Sequence, residues 1–267
     1  VVIHFEIISL EFLDSFKSNL KGQKITLFKS EEKGEISLEQ FQHYLIQSSL
    51  FSSKIEGNSL DINSFFNGKG KRGHPKKKEI QEIEDLVLAY KWAVENPLNQ
   101  EQFLKIHGLL SPQLLPKKER GKYRNVPVAI RDSESYRPVY LAVEPDFVLE
   151  YMDKLFADIQ TIKKLEWDKE SLLYLASMIH LWLAMIHPFG DGNGRMARLL
   201  EKWFLATHLG PHVWSWQTEK FYWNHRERYY REISLGYNFY ALNWDRCLPF
   251  LSLLPESISS ENQINKP

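Results

Sequence analysis

Leu172–Ile186 reads LLYLASMIHLWLAMI and runs straight into His187–Arg198, HPFGDGNGRMAR. The first stretch is apolar all round a helix, with His180 in its middle. Such a helix is either a membrane span or the buried centre of a globular core. Its fifteen residues fall short of the roughly 20 that a span needs, so a buried central helix is the reading. Asp168 stands where it can cap the start. Beyond the Gly-rich loop, Leu199, Leu200, Trp203 and Phe204 resume helical spacing until Gly210 and Pro211 stop it.

Working outward, helical periods dominate. Ser37 and Gln40 form a capping-box pattern ahead of Leu38, Phe41, Leu45 and Leu50, and Gly57 is a natural stop. A polar loop with two Lys-rich clusters is expected over Asn67 to Lys78; it contains no aromatic residue. Ile80, Ile83, Val87, Tyr90 and Val94 mark a helix ended by Pro97, and Phe103, Ile106 and Leu110 mark another. The period then changes. Val126, Val128 and Ile130 alternate, Asp132 to Ser135 form a polar turn, and Val139 and Leu141 alternate again: a hairpin with prolines at exposed edges. Pro145 opens a helix carrying Phe147, Met152, Leu155, Phe156 and Ile159. Two further helices are expected over about Glu219–Leu235 and Trp244–Leu254, with a loose polar tail from residue 256. One small hairpin among about eight helices gives an all-α class.

The bulk properties narrow the function. The chain has 267 residues, enough for a sizeable core. Lys+Arg and Asp+Glu are both 34, so there is no basic excess of the kind nucleic-acid binding uses. The single cysteine, Cys247, excludes an internal disulfide and points to a reducing, cytoplasmic compartment. Val1 to Leu13 has no basic region of a signal peptide, and no membrane association is expected.

The loop His187–Arg198 carries the chemistry. Its glycines permit positive φ and close backbone approach, and successive amides at a helix start form an anion nest. Arg195 and Arg198 are three apart and share one face beside that nest, as a polyphosphate site requires. Asp191 supplies a hard oxygen for a phosphate-bound Mg²⁺, and His187 is the side chain able to take a proton near neutral pH. Gly192-x-Gly194-x-x-Ala197 also fits a dinucleotide fingerprint. That reading needs a preceding strand, a βαβ unit and an acidic residue about 20 positions on; the preceding segment reads as helix.

Position by position, His187–Arg198 resembles the Fic motif H-P-F-x-[DE]-G-N-G-R-x-x-R, and it keeps the G-N-G-R part that the phosphorylating Doc toxins replace. The resemblance implies an all-helical Fic (Fido) core with a small β-hairpin flap, which transfers AMP from ATP to a Ser, Thr or Tyr hydroxyl of a target protein. It implies His187 as the base, Phe189 as the loop's anchor, and Asp191 as the Mg²⁺ ligand. Gly192, Asn193, Gly194, Arg195 and Arg198 would hold the nucleotide. Gly121–Val128, GKYRNVPV, is similar to the family's flap, whose edge at Val126, Pro127 and Val128 would hold the target segment. Ser52-x-x-x-Glu56-Gly57 is similar to the family's inhibitory motif, in which the glutamate pairs with the second motif arginine, here Arg198.

The expected organisation is an N-terminal helical region over 1–70, with the inhibitory helix at about 37–57, a Fic core over 71–255, and a tail over 256–267. Cofactors would be ATP and Mg²⁺; a homodimer is left open. Family members often carry a winged helix after the core, and the residues beyond Leu254 are too few for one. The alternatives are use of another nucleotide, removal of AMP at the same site, or a non-catalytic regulatory module. Asn224, Arg228 and Tyr229 loosely resemble a base-pocket helix, and His180 is read as a core residue.

Overall fold

The computed structural model describes residues 4–22, 37–68, 76–131 and 137–264. Among them are α1 (Leu13–Gly22), α2 (Leu38–Ile55), α3 (Ile62–Gly68), α4 (Lys77–Glu95) and α5 (Gln100–Leu110). A hairpin of β1 (Ala129–Arg131) and β2 (Pro138–Leu141) follows. Then come α6 (Pro145–Lys163), α7 (Lys169–Ile186), α8 (Asn193–Leu209), α9 (Thr218–Asn224), α10 (Arg226–Ile233) and α11 (Leu248–Ile264).

The apolar stretch is α7, and it occupies the centre. Asp168 caps it, accepting the Ser171 N–H at 2.7 Å. Leu173, Leu175, Ile179, Leu183 and Ile186 are fully enclosed. Each such side chain contributes about 1.5–3 kcal/mol relative to exposure. Its most extensive neighbour is α8; α1, α6 and α11 also pack on it. α2 lies across α4, α8 and α9, capped by the expected Ser37–Gln40 box. No helix among the described residues is long and apolar enough to cross a membrane.

The hairpin is antiparallel, pairing Ala129 with Leu141 and Ile130 with Tyr140. It is shorter than the alternation suggested. Val126 and Pro127 lie outside the ladder, because the Val126 carbonyl is taken by the Arg124 guanidinium at 3.0 Å. The expected turn at Asp132–Ser135 lies outside the described residues, as does the boundary between residues 70 and 71.

Several expectations are corrected. The loop assigned to Asn67–Lys78 is in part helical: Asn67 and Gly68 end α3, and Lys77 and Lys78 open α4. The helix expected over Glu219–Leu235 is two, broken at His225 (φ −116°, ψ 33°) with no Pro or Gly to signal it. The break directs Arg226 and Tyr230 onto the Ile55 carbonyl at the end of α2. The tail expected to be loose from residue 256 is helical through Ile264, with Pro255 inside α11. A helix-interior proline costs about 3 kcal/mol. Burial of Leu251, Leu254 and Ile258 and the Arg228–Glu256 ion pair offset it. α1 was not foreseen; Phe16 and Leu20 anchor it in the core. The residues ahead of α1 are held by Asp158 of α6, which accepts the amides of Glu6, Ile7 and Ile8 at 2.6–2.9 Å.

Candidate active site

α7 ends at His187, whose φ of 52° and ψ of 59° are left-handed. It is the non-glycine residue with positive φ among those described. Left-handed backbone costs a non-glycine residue roughly 1–2 kcal/mol, so the surroundings must hold it. The turn sends Phe189 inward. Its ring is fully buried and lies face to face with His107, centroids 3.6 Å apart, with Phe103 and Tyr123 alongside.

His107 does more than stack. Its Nδ1 accepts the Gly121 N–H at 3.0 Å, which leaves Nε2 to donate to the Asp191 carbonyl at 3.0 Å. Burial holds this imidazole down at about 4, so it is neutral at pH 7. Nothing in the spacing of the histidines marked it; only the packed loop does.

Gly192 takes φ +85° and turns the chain into α8. The amides of Asn193, Gly194 and Arg195 precede the first helical bond, from Met196 N–H to the Gly192 carbonyl. They form the expected amide-lined helix start. The Asn193 side chain, expected on a phosphate, is committed elsewhere. Its Oδ1 accepts the Phe189 N–H and its Nδ2 donates to the Phe189 carbonyl, both at 2.9 Å. It is a staple of the loop, because a buried amide must satisfy both ends. Its backbone N–H remains part of the nest.

His187 opens the loop that leads from α7 into this helix start. Its Nδ1 faces the Ala184 carbonyl at 3.3 Å, so Nδ1 carries the proton and Nε2 is left as the acceptor. Burial lowers its pKa to about 4, against the Ala184 carbonyl and Glu56 and with help from Arg124. A neutral imidazole with a free Nε2 is the form a base requires.

Both motif arginines are buried and meet carboxylates. Arg198 donates from NH2 to Glu56 Oε1 at 2.7 Å and to the Ser52 carbonyl at 3.0 Å, and from Nε to Ser52 Oγ at 2.9 Å. Burial alone would raise the Glu56 pKa, but Arg198 and Arg195 outweigh it and hold the carboxyl below its usual range. A Cβ on Gly194 would lie 2.3 Å from Glu56 Oε1, so any larger residue there would push the Glu56 carboxylate from this position. Arg195 is 3.5 Å from Glu82 of α4. Behind Arg198, Tyr229 OH is within 3.3 Å of NH1 and 2.9 Å of His180 Nε2, and His180 Nδ1 meets Glu201 at 2.8 Å. His180 is thus a satisfied core residue. Of the loosely marked trio, Tyr229 reaches Arg198, while Arg228 pairs with Glu232 and Glu256.

Asp191 is exposed, and its Oδ1 accepts the Gly192 N–H at 2.6 Å. No group of three or more metal-ligating side chains exists among the described residues. One carboxylate beside an anion nest nevertheless fits Mg²⁺, which is commonly held by a single side chain, phosphate oxygens and water.

Residues 97–205 match the sequence model of the Fic/DOC family. Over that stretch the chain is similar to the Fic/DOC family. The match runs from just after α4 through most of α8, so it includes the hairpin and the loop but not Glu56, Glu82 or Tyr229. A Fic family protein from Desulfovibrio desulfuricans superimposes with a TM-score of 0.72 at 21% identity, over 98% of this chain and 78% of that one. A Fic domain containing signalling protein from Bacteroides thetaiotaomicron gives 0.63 at 18%, over 94% and 95%. Fic-1 from C. elegans, as residues 134–508, gives 0.63 at 19%, over 95% and 70%. No match is found among curated proteins. The fold is therefore the mostly helical Fic fold with an antiparallel two-stranded hairpin.

Proposed function

We propose that the chain is a protein adenylyltransferase restrained by its own α2. The observation that carries this reading is a neutral His187, with Nε2 left as the acceptor, at the head of a loop that leads into an amide-lined helix start carrying Arg195 and Arg198. A target hydroxyl gives its proton to Nε2 as its oxygen bonds to the α-phosphorus of ATP. The bond from that phosphorus to the bridging oxygen breaks, and pyrophosphate leaves with its electron pair. The nest amides and the two guanidinium groups meet the negative charge on the phosphates. Asp191 would hold Mg²⁺ against the phosphate oxygens, and the ion supplies further charge neutralisation. The exposed edge at Val126 and Pro127, with Val128 beside it, would align the target segment.

The restraint is electrostatic. Glu56 occupies the Arg198 guanidinium and places a carboxylate against Gly194, where an outer phosphate would approach. Such repulsion is strong where solvent is excluded. Glu56→Gly should raise self-labelling from ATP-Mg²⁺ well above the unsubstituted protein, and adding Arg198→Ala should return it to low levels. No gain in Glu56→Gly with ATP, GTP, UTP or CTP would sink the reading. A double variant as active as Glu56→Gly would sink the pairing.

A further inference from the structure

The last turn of α7 leaves carbonyls that no helical amide can satisfy. Beyond Leu183 O, which keeps the ordinary i+4 bond from the C-cap N–H, their partners come from outside the helix. Leu183 O takes the His187 N–H and Ala184 O faces the His187 ring. Met185 O takes the Tyr140 hydroxyl from β2 at 2.8 Å. The remaining two go to Arg124: Nε donates to His187 O at 2.8 Å and NH2 to Ile186 O at 3.3 Å. The same guanidinium donates to Val126 O at 3.0 Å and Val143 O at 2.5 Å, on the two sides of the hairpin. The Arg124 N–H donates to Pro188 O at 2.9 Å. Arg124 is 6% exposed, so water does not compete for these bonds.

Every carbonyl this fork touches belongs either to the end of α7 or to the hairpin's flanks. A cation at a helix C-terminus also meets the negative end of the dipole. His187 needs such a clamp, because its left-handed backbone is strained without one. Three residues earlier, Gly121 N–H reaches Asp191 O through His107, so the segment 121–124 grips the loop at both ends. The sequence shows Arg124 only as one residue of the flap stretch.

We propose that Arg124 is a positioning residue that locks the hairpin edge and the His187 backbone into one unit, so that acceptor hydroxyl and base meet in register. This rests on the transfer reading above. A lysine keeps the charge but is a point donor and cannot span these carbonyls.

The experiment uses Glu56→Gly as parent, with Arg124→Lys and Arg124→Gln added separately so that one folded variant suffices. Asp158→Ala, which loosens the remote N-terminal segment, is the control for lost stability. Self-labelling rate, ATP-Mg²⁺ affinity by calorimetry, and the ¹⁵N signals of the His187 ring are measured. The expected result is transfer lowered about 100-fold, with ATP affinity retained and the His187 signals moved away from the pure Nδ1–H form. Unchanged His187 signals in a folded Arg124 variant would overturn the proposal. So would a loss of transfer in Asp158→Ala equal to that in the Arg124 variants. If the parent transfers no nucleotide, the adenylyl-transfer reading fails, and the His187 signals alone decide whether Arg124 positions that residue.

Discussion

At His187 and His107 the folded protein binds a proton less readily than the unfolded chain, since burial brings each from 6.5 to about 4. As pH falls, the unfolded chain takes up protons first. The stability these neutral rings contribute is complete above about pH 6.5 and is lost progressively toward pH 4. The urea midpoint should fall across that window, and less steeply in His107→Gln; parallel profiles would mean that His107 titrates normally. For activity the sign is the opposite of a limitation. A base that stays neutral to about 4 keeps working in mild acid, and removing Glu56 removes a charge that favours protonation. Transfer by Glu56→Gly should therefore persist to about pH 5, and His187→Ala should lose about 10²–10⁴ in rate with ATP still bound. An acid limb near 6.5 would show His187 to be solvated. Asp191→Ala should lower turnover and alter its Mg²⁺ dependence; full activity in excess chelator would remove the metal from the mechanism.

Two helices meet at the scale above. Arg198 and Lys202, four apart on α8, donate to Ser52 and Ser48, four apart on α2, at 2.9 and 2.8 Å. The matched spacing sets the register of α2 on α8 and so delivers Glu56 to the loop. Lys202 also donates to the Trp216 carbonyl and to Glu219, both at 2.6 Å, and Glu219 accepts from Tyr90 at 2.7 Å. Glu219 is fully buried, and burial alone would raise its pKa; Lys202 and Tyr90 hold it down. Lys202→Met would strand that carboxylate. The expected cost is about 3–5 kcal/mol in denaturant titrations. A variant as stable as the parent would mean that Glu219 is rescued by protonation or water.

Across the whole molecule, α11 closes the core against α1 and α7 and ties α10 down through Arg228 and Glu256. Deleting residues 256–267 should cost about 3 kcal/mol, chiefly the burial of Ile258, and lower the thermal midpoint. A loose tail would leave it unchanged. The helical class, the hairpin, α7 and its cap were legible in the chain because periodicity, capping and turn chemistry are local. The loop His187–Arg198 was legible for the same reason: its histidine, glycines and arginines fall within twelve residues. The break at His225, the helix through Pro255 and the short strand at Ala129 were not, since tertiary packing there overrode local preference. Nor were the roles of His107, Arg124 and the Asn193 side chain, each defined by what it touches. The chain itself carries the pattern Ser52-x-x-x-Glu56, but whether a carboxylate reaches a guanidinium 142 residues away depends on how α2 lies on α8. Packing decides that, because no local period reports a contact between residues so distant in the chain.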